Sequence, residues 1–128
     1  MAASPELLEH LRDMLGGFGP FAIRRMFGGA GLFRDGVMFA LIADDVLYFK
    51  TDEVSRGDFE AAGSSPFVYD RKGRDAVVMS YWRVPDDDMD DAGALAAWAA
   101  KGWEAARRAA ANKAKPRKPR RPAGARQA

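Results

Sequence analysis

An α+β fold of two layers, a mainly antiparallel sheet with flanking helices, is predicted by a change of periodicity along the chain. Apolar residues recur at helical spacing in the first fifteen positions, then fall into short runs broken by turn residues, then return to helical spacing after position 90. Asp35-Gly36 between two of the short runs is the strongest hairpin signal, and hairpins build antiparallel sheets. Such a sheet buries one face and needs helices on that face only, which gives two layers.

The first helix is expected from Pro5 to Leu15. Ser4 stands at the cap, Pro5 in the first turn, and Leu7, Leu8, Leu11, Met14 and Leu15 share one face before Gly16 and Gly17 end it. Strands are predicted for Ile23 to Phe27, Ala30 to Arg34, Val37 to Ala43 and Val46 to Phe49, with Asp44-Asp45 as a second, weaker hairpin turn. Gly28, Gly29 and Gly31 fall at the second strand, where glycine marks a bulge or a close backbone approach. Asp52 is read as the cap of a helix from Glu53 to Ala62 that buries Val54 and Phe59 and stops at Gly63. A further hairpin joins Pro66 to Asp70 with Ala76 to Tyr81. The closing helix is expected from Asp91 to Asn112, with Leu95, Trp98, Gly102, Ala105, Ala106 and Ala109 facing inward and Trp103 lying off that stripe over the sheet edge.

These elements make one domain over residues 4–111, since a second core would be too small to stabilise itself. Residues 112–128 are set apart as a disordered basic tail: Lys113, Lys115, Arg117, Lys118, Arg120, Arg121 and Arg126 meet no acid, while Pro116, Pro119 and Pro122 interrupt any helix. The whole chain has 20 Lys and Arg against 18 Asp and Glu. With seven of those cations in the tail, residues 1–111 carry an excess of acid, so the overall pI of 9.1 describes the tail. A basic arm of this kind suits a polyanion, and the seven tail cations are the candidate nucleic-acid contacts.

Catalytic and metal chemistry find little support. The chain has no Cys and a single histidine, His10, so thiolate nucleophiles, disulfides and cysteine or histidine metal clusters are excluded. No catalytic residue, metal site or cofactor is expected. Gly28-Gly29-Ala30-Gly31 lacks the Lys-Ser or Lys-Thr of a phosphate loop and leads into a strand instead of a helix. The acids Asp86, Asp87, Asp88, Asp90 and Asp91 lack the calcium-loop pattern and read as helix capping and solvated charge. Tyr48, Tyr69, Tyr81 and Trp82 read as cross-strand packing. Arg24 and Arg25 before the glycines, with Lys50 at the end of another strand, are the candidate anion-binding residues. No apolar run approaches the roughly 20 residues that cross a bilayer, and the start of the chain is too acidic for a signal peptide, so a cytoplasmic protein with no membrane contact is expected.

Several motifs in order resemble the TfoX N-terminal domain family. They are Arg25-Met26-Phe27-Gly28-Gly29-Ala30-Gly31-Leu32-Phe33, Asp35-Gly36-Val37-Met38-Phe39-Ala40-Leu41-Ile42 and Leu47-Tyr48-Phe49-Lys50. Phe59, Gly63, Pro66-Phe67-Val68-Tyr69, Met79-Ser80-Tyr81-Trp82, Val84-Pro85 and Trp98 continue the likeness. The resemblance implies a two-layer α+β fold and a non-enzymatic regulator of competence-specific genes. Some members carry a second, C-terminal domain, whereas nothing folded is expected here after Asn112. The resemblance supplies no catalytic or DNA-contacting residues to transfer. The expected partners are a protein bound by the body, non-specific DNA or RNA at the tail, and a second copy in a weak homodimer through an exposed strand or the last helix. The competing reading is a small-anion-binding protein or uncharacterised enzyme with its site at Arg24, Arg25 and Lys50.

Overall fold

The computed structural model describes residues 3–26, 29–69 and 77–114. Helix α1 (Pro5–Met14) begins where Ser4 Oγ accepts the Leu7 amide at 3.2 Å, as the cap signal implies. Strands β1 (Ala22–Met26), β2 (Gly29–Arg34), β3 (Val37–Ala43) and β4 (Val46–Lys50) follow as a meander. Both turns require left-handed backbone: Asp35 and Gly36 have φ of 52° and 78°, Asp44 and Asp45 of 52° and 59°. Asp and Gly tolerate that conformation, and its twist matches that of the flanking strands. Helix α2 (Arg56–Ala61) leads to β5 (Pro66–Tyr69) and β6 (Val77–Arg83), then a 3-10 turn at Asp86–Asp88 precedes α3 (Ala92–Ala114).

The six strands form one open antiparallel sheet in the order β1-β2-β3-β4-β6-β5, so the α2 crossover places β6 beside β4 and leaves β1 and β5 at the margins. With three helices beside it, this is the α+β fold that the periodicity predicts. Cross-strand rows separate its two faces. Ile23, Leu32, Ala40, Phe49, Trp82 and Pro66 lie in one row, and Leu32, Ala40 and Phe49 are fully buried against the helices. Arg24, Gly31, Leu41, Tyr48 and Arg83 form a neighbouring row on the other face.

Helix α3 packs on β3 and β4. At their crossing a Cβ built on Gly102 would stand 3.0 Å from Phe49 Cβ and 3.1 Å from the Phe39 carbonyl, so the missing side chain sets the helix-to-sheet distance. Gly29 is held more tightly, because its Cβ would fall 2.1 Å from the Ile42 carbonyl oxygen. The close approach predicted at the glycine stretch is therefore real at Gly29.

Three expectations change. The residues from Asp52 to Ser55 form a capped turn, and α2 starts only at Arg56. Asp52 Oδ1 accepts the amides of Val54 and Ser55 at 3.1 Å each, which holds Val54 on the outside, 73% exposed, while Phe59 is buried. Helix α3 runs two residues past Asn112, so the helix backbone includes Lys113. Trp103 does more than cover an edge: its ring meets Phe39 edge-on at 6.2 Å and packs against the core. Phe39 itself owes its place to a bulge, since the register passes from Leu32 opposite Ala40 to Phe33 opposite Met38. Freed from a cross-strand partner, Phe39 enters a cluster with Phe18 at 5.1 Å and Phe49 at 6.3 Å.

Candidate functional site

The predicted anion residues are not brought together. Adjacent residues of a strand face opposite ways, so Arg24 and Arg25 diverge. The Arg25 guanidinium donates to the Ala3 carbonyl at 2.9 Å, tying the start of the chain to β1. Lys50 is in β4, three strand spacings or roughly 14 Å from β1. Its Nζ donates to Ser80 Oγ at 2.7 Å and lies 5.3 Å from the Tyr81 ring centroid. Arg24 alone keeps an open position. It is exposed, its guanidinium carbon lies 4.5 Å over the Phe33 ring, and among the described residues no carboxylate or carbonyl accepts from it.

Beside Arg24 is an open cleft of about 790 Å³, lined by the segment from Phe18 to Ala22, by Arg24, and by Phe33 to Gly36. Arg34 shapes it. Its Nε donates to the Pro20 carbonyl at 3.1 Å and its NH2 to the Phe18 carbonyl at 2.9 Å, while its guanidinium carbon stacks 3.8 Å from the Phe18 ring centroid. Trp103 of α3 lies on the same cation at 5.5 Å. The loop closes this tightly because Gly19 has φ of 116° and its Cβ would stand 2.6 Å from Arg34 NH2. Sequence reading did not single out Arg34, whose only local signal is its place before Asp35-Gly36. Two guanidinium groups against the Asp35 carboxylate leave the cleft with a net positive lining.

A second polar cluster joins the end of β4 to α3. Arg108 Nε and NH2 donate to Asp52 Oδ2 and Oδ1 at 2.6 and 3.1 Å. The Arg108 hydrogen bond, helped by the Ser55 and Val54 amides, pulls the Asp52 carboxyl down to about 2 against the cost of burial. The same bond raises the Arg108 pKa. This is a structural clamp, in which Asp52 accepts four hydrogen bonds from the protein itself.

Of the acids of 86–91, Asp91 caps a helix, while Asp86 and Asp88 meet side chains. Asp86 pairs with Arg83 at 2.9 Å, Asp88 accepts the Trp98 indole N–H at 2.7 Å, and Asp91 caps α3 by accepting the Ala94 amide at 3.0 Å. His10 Nε2 donates to the Met89 carbonyl at 2.8 Å, with Asp90 at 3.4 Å. Among the described residues no three His, Cys, Asp or Glu side chains could share a metal ion, and no helix is long and apolar enough to cross a membrane. Of the candidate nucleic-acid residues, Lys113 lies in α3, while Lys115, Arg117, Lys118, Arg120, Arg121 and Arg126 lie outside the described residues.

The antiparallel sheet carries an open cleft at one margin, and comparison with known proteins places the domain. The TfoX N-terminal domain family matches residues 13–106, and the chain belongs to that family. It is 35% identical over 83 residues to the DNA transformation protein TfoX1 of Aliivibrio fischeri (strain ATCC 700601 / ES114), a stretch that covers 62% of this chain. The match spans 39% of that relative's length.

Proposed function

We propose that this chain is a non-enzymatic regulator or adaptor of the competence type, acting in the cytoplasm, whose body binds a protein partner while its basic tail adds weak, sequence-independent contact with DNA or RNA. The observation that carries the reading is the family match across residues 13–106, together with a relative whose name concerns DNA transformation. The division of labour follows from charge. The body carries more acid than base, which opposes DNA, whereas the residues from Lys113 onward carry seven cations and no acid.

The test separates the two parts. Full-length chain should bind duplex DNA with a steep salt dependence, a log-log slope of up to about −6 if every tail cation meets a phosphate, and without sequence preference. A chain ending at Ala114 keeps all of α3 and should lose most of that slope. Unchanged affinity and slope would remove the tail from the proposal. Affinity capture with the same shortened chain addresses the protein partner, since the polyanion contribution is then largely absent.

A further inference from the structure

We propose that β1 and the cleft at its start form the docking site for an extended acidic segment of a partner protein, which adds to the sheet as a strand and presents a carboxylate to Arg24. The inference rests on the reading of the body as protein-binding and supplies the place and the chemistry. Strand β1 is the margin of the sheet and pairs with β2 on one side only, so its other side offers backbone N–H and C=O groups with no strand beside them among the described residues. A peptide strand satisfies such groups; a nucleic acid has no matching ladder of amides. Ala22, Arg24 and Arg25 along this margin are exposed.

Charge selects the occupant. A second copy pairing antiparallel through the centre of β1 would set Arg24 opposite Arg24 or Arg25 of the other copy, and like charges directly opposed are destabilising. An acidic strand reverses that sign. Arg24 is suited to receive it, because Phe33 holds the guanidinium from one face at 4.5 Å while its N–H groups are left for a carboxylate. At the first residue of the strand the cleft continues the surface, with Phe18, Phe21 and Phe33 in its lining to take an apolar side chain and with Arg34 adding a second positive charge against Asp35. The occupant is therefore an extended segment that pairs acidic with apolar residues.

The test uses isotope-labelled full-length chain and a fluorescent peptide of alternating Asp and Val. Binding should shift the amides of Ala22 to Met26 and slow hydrogen exchange at those that point away from β2. Because the basic tail also attracts acid, the decisive comparison keeps the tail and changes the edge. Arg24→Glu should weaken the peptide at least about tenfold, Arg24→Gln should fall between, and Arg24→Glu should gain affinity for a Lys and Val peptide. Shifts confined to other residues, or an Arg24→Glu affinity within about twofold of the parent, would overturn the proposal. So would displacement of the peptide from the β1 amides by oligothymidylate or by inorganic phosphate at millimolar concentration, or β1 shifts that grow with protein concentration alone. A captured partner indifferent to Arg24→Glu would remove the edge and leave the protein-binding reading. Peptide binding at β1 without any captured partner would do the reverse.

Discussion

Arg108, in the last third of α3, grips the carboxylate of Asp52 at the end of β4 through two donors, 2.6 and 3.1 Å long, across a separation of 56 residues. The pair ties the closing helix to the sheet at the point where the chain leaves it for α2. Its acid response follows from the depressed Asp52 pKa of about 2 against an ordinary 3.8. A carboxyl with a lowered folded pKa contributes stability that is complete above its unfolded value and is lost as pH falls through the folded one. Unfolding midpoints of the parent should therefore drop between about pH 4 and pH 2. In Asp52→Asn the midpoint at neutral pH should already be lower, with a loss of about 1–3 kcal/mol, and that acid segment should flatten. An unaltered acid slope in the variant would dissociate the pair from stability.

Gly102→Val places branched volume where a single methyl would already be 3.0 Å from Phe49. Overpacking of this kind costs about 1–3 kcal/mol, more than the few tenths of a kcal/mol of helix propensity that valine gains over glycine. Denaturant titration should show a lower midpoint, and the Trp103 environment should change with it because α3 must lift from β3. Stability equal to the parent would mean that the helix has room to shift.

Replacing Arg34 removes two hydrogen bonds to loop carbonyls and the stack on Phe18 together. Arg34→Ala should cost about 2 kcal/mol and loosen the segment from Phe18 to Pro20, seen as faster amide exchange there. Arg34→Lys should recover little, since an ammonium cannot reproduce the planar fork between two carbonyls and two rings. Full rescue by lysine would reduce the role of Arg34 to charge alone.

Burial pushes the Tyr81 phenol up to about 12. A phenol whose folded pKa lies above its unfolded value withdraws stability as pH rises beyond about 10. Ultraviolet titration should show a delayed phenolate that disappears in Tyr81→Phe. A folded-state titration curve that Tyr81→Phe leaves unchanged at its alkaline end would contradict the burial of this ring.

Legibility in the sequence followed the range of the interactions. Ser4, Asp35-Gly36 and Asp44-Asp45 act on residues within a turn of themselves, and each element they announce is present. The placement of β6 between β4 and β5 has no local marker, because it depends on where the α2 crossover delivers the chain. Val54 was misplaced for a related reason: Asp52 does bond the amides after it, yet its carboxylate is also claimed by a residue 56 positions away, and the first turn does not propagate. The candidate site divides in the same manner. Arg24 and Arg25 were legible as adjacent cations, but only the pleat sends one to Ala3 and the other over Phe33. The cleft and Arg34 depend on the left-handed Gly19 and on the Phe39 bulge, neither of which leaves a distinctive pattern.

The contact between Arg34 and Trp103 turns α3 into a measuring rod. From Trp103 the helix continues to Ala114, eleven residues or roughly 16 Å. Residues 115–128 extend the chain by at most about 50 Å more. Anything bound by those residues is thus leashed within roughly 65 Å of the cleft, a sphere in which one molecule amounts to a local concentration on the order of a millimolar. Two interactions too weak to persist alone would, on this leash, become a single bivalent grip.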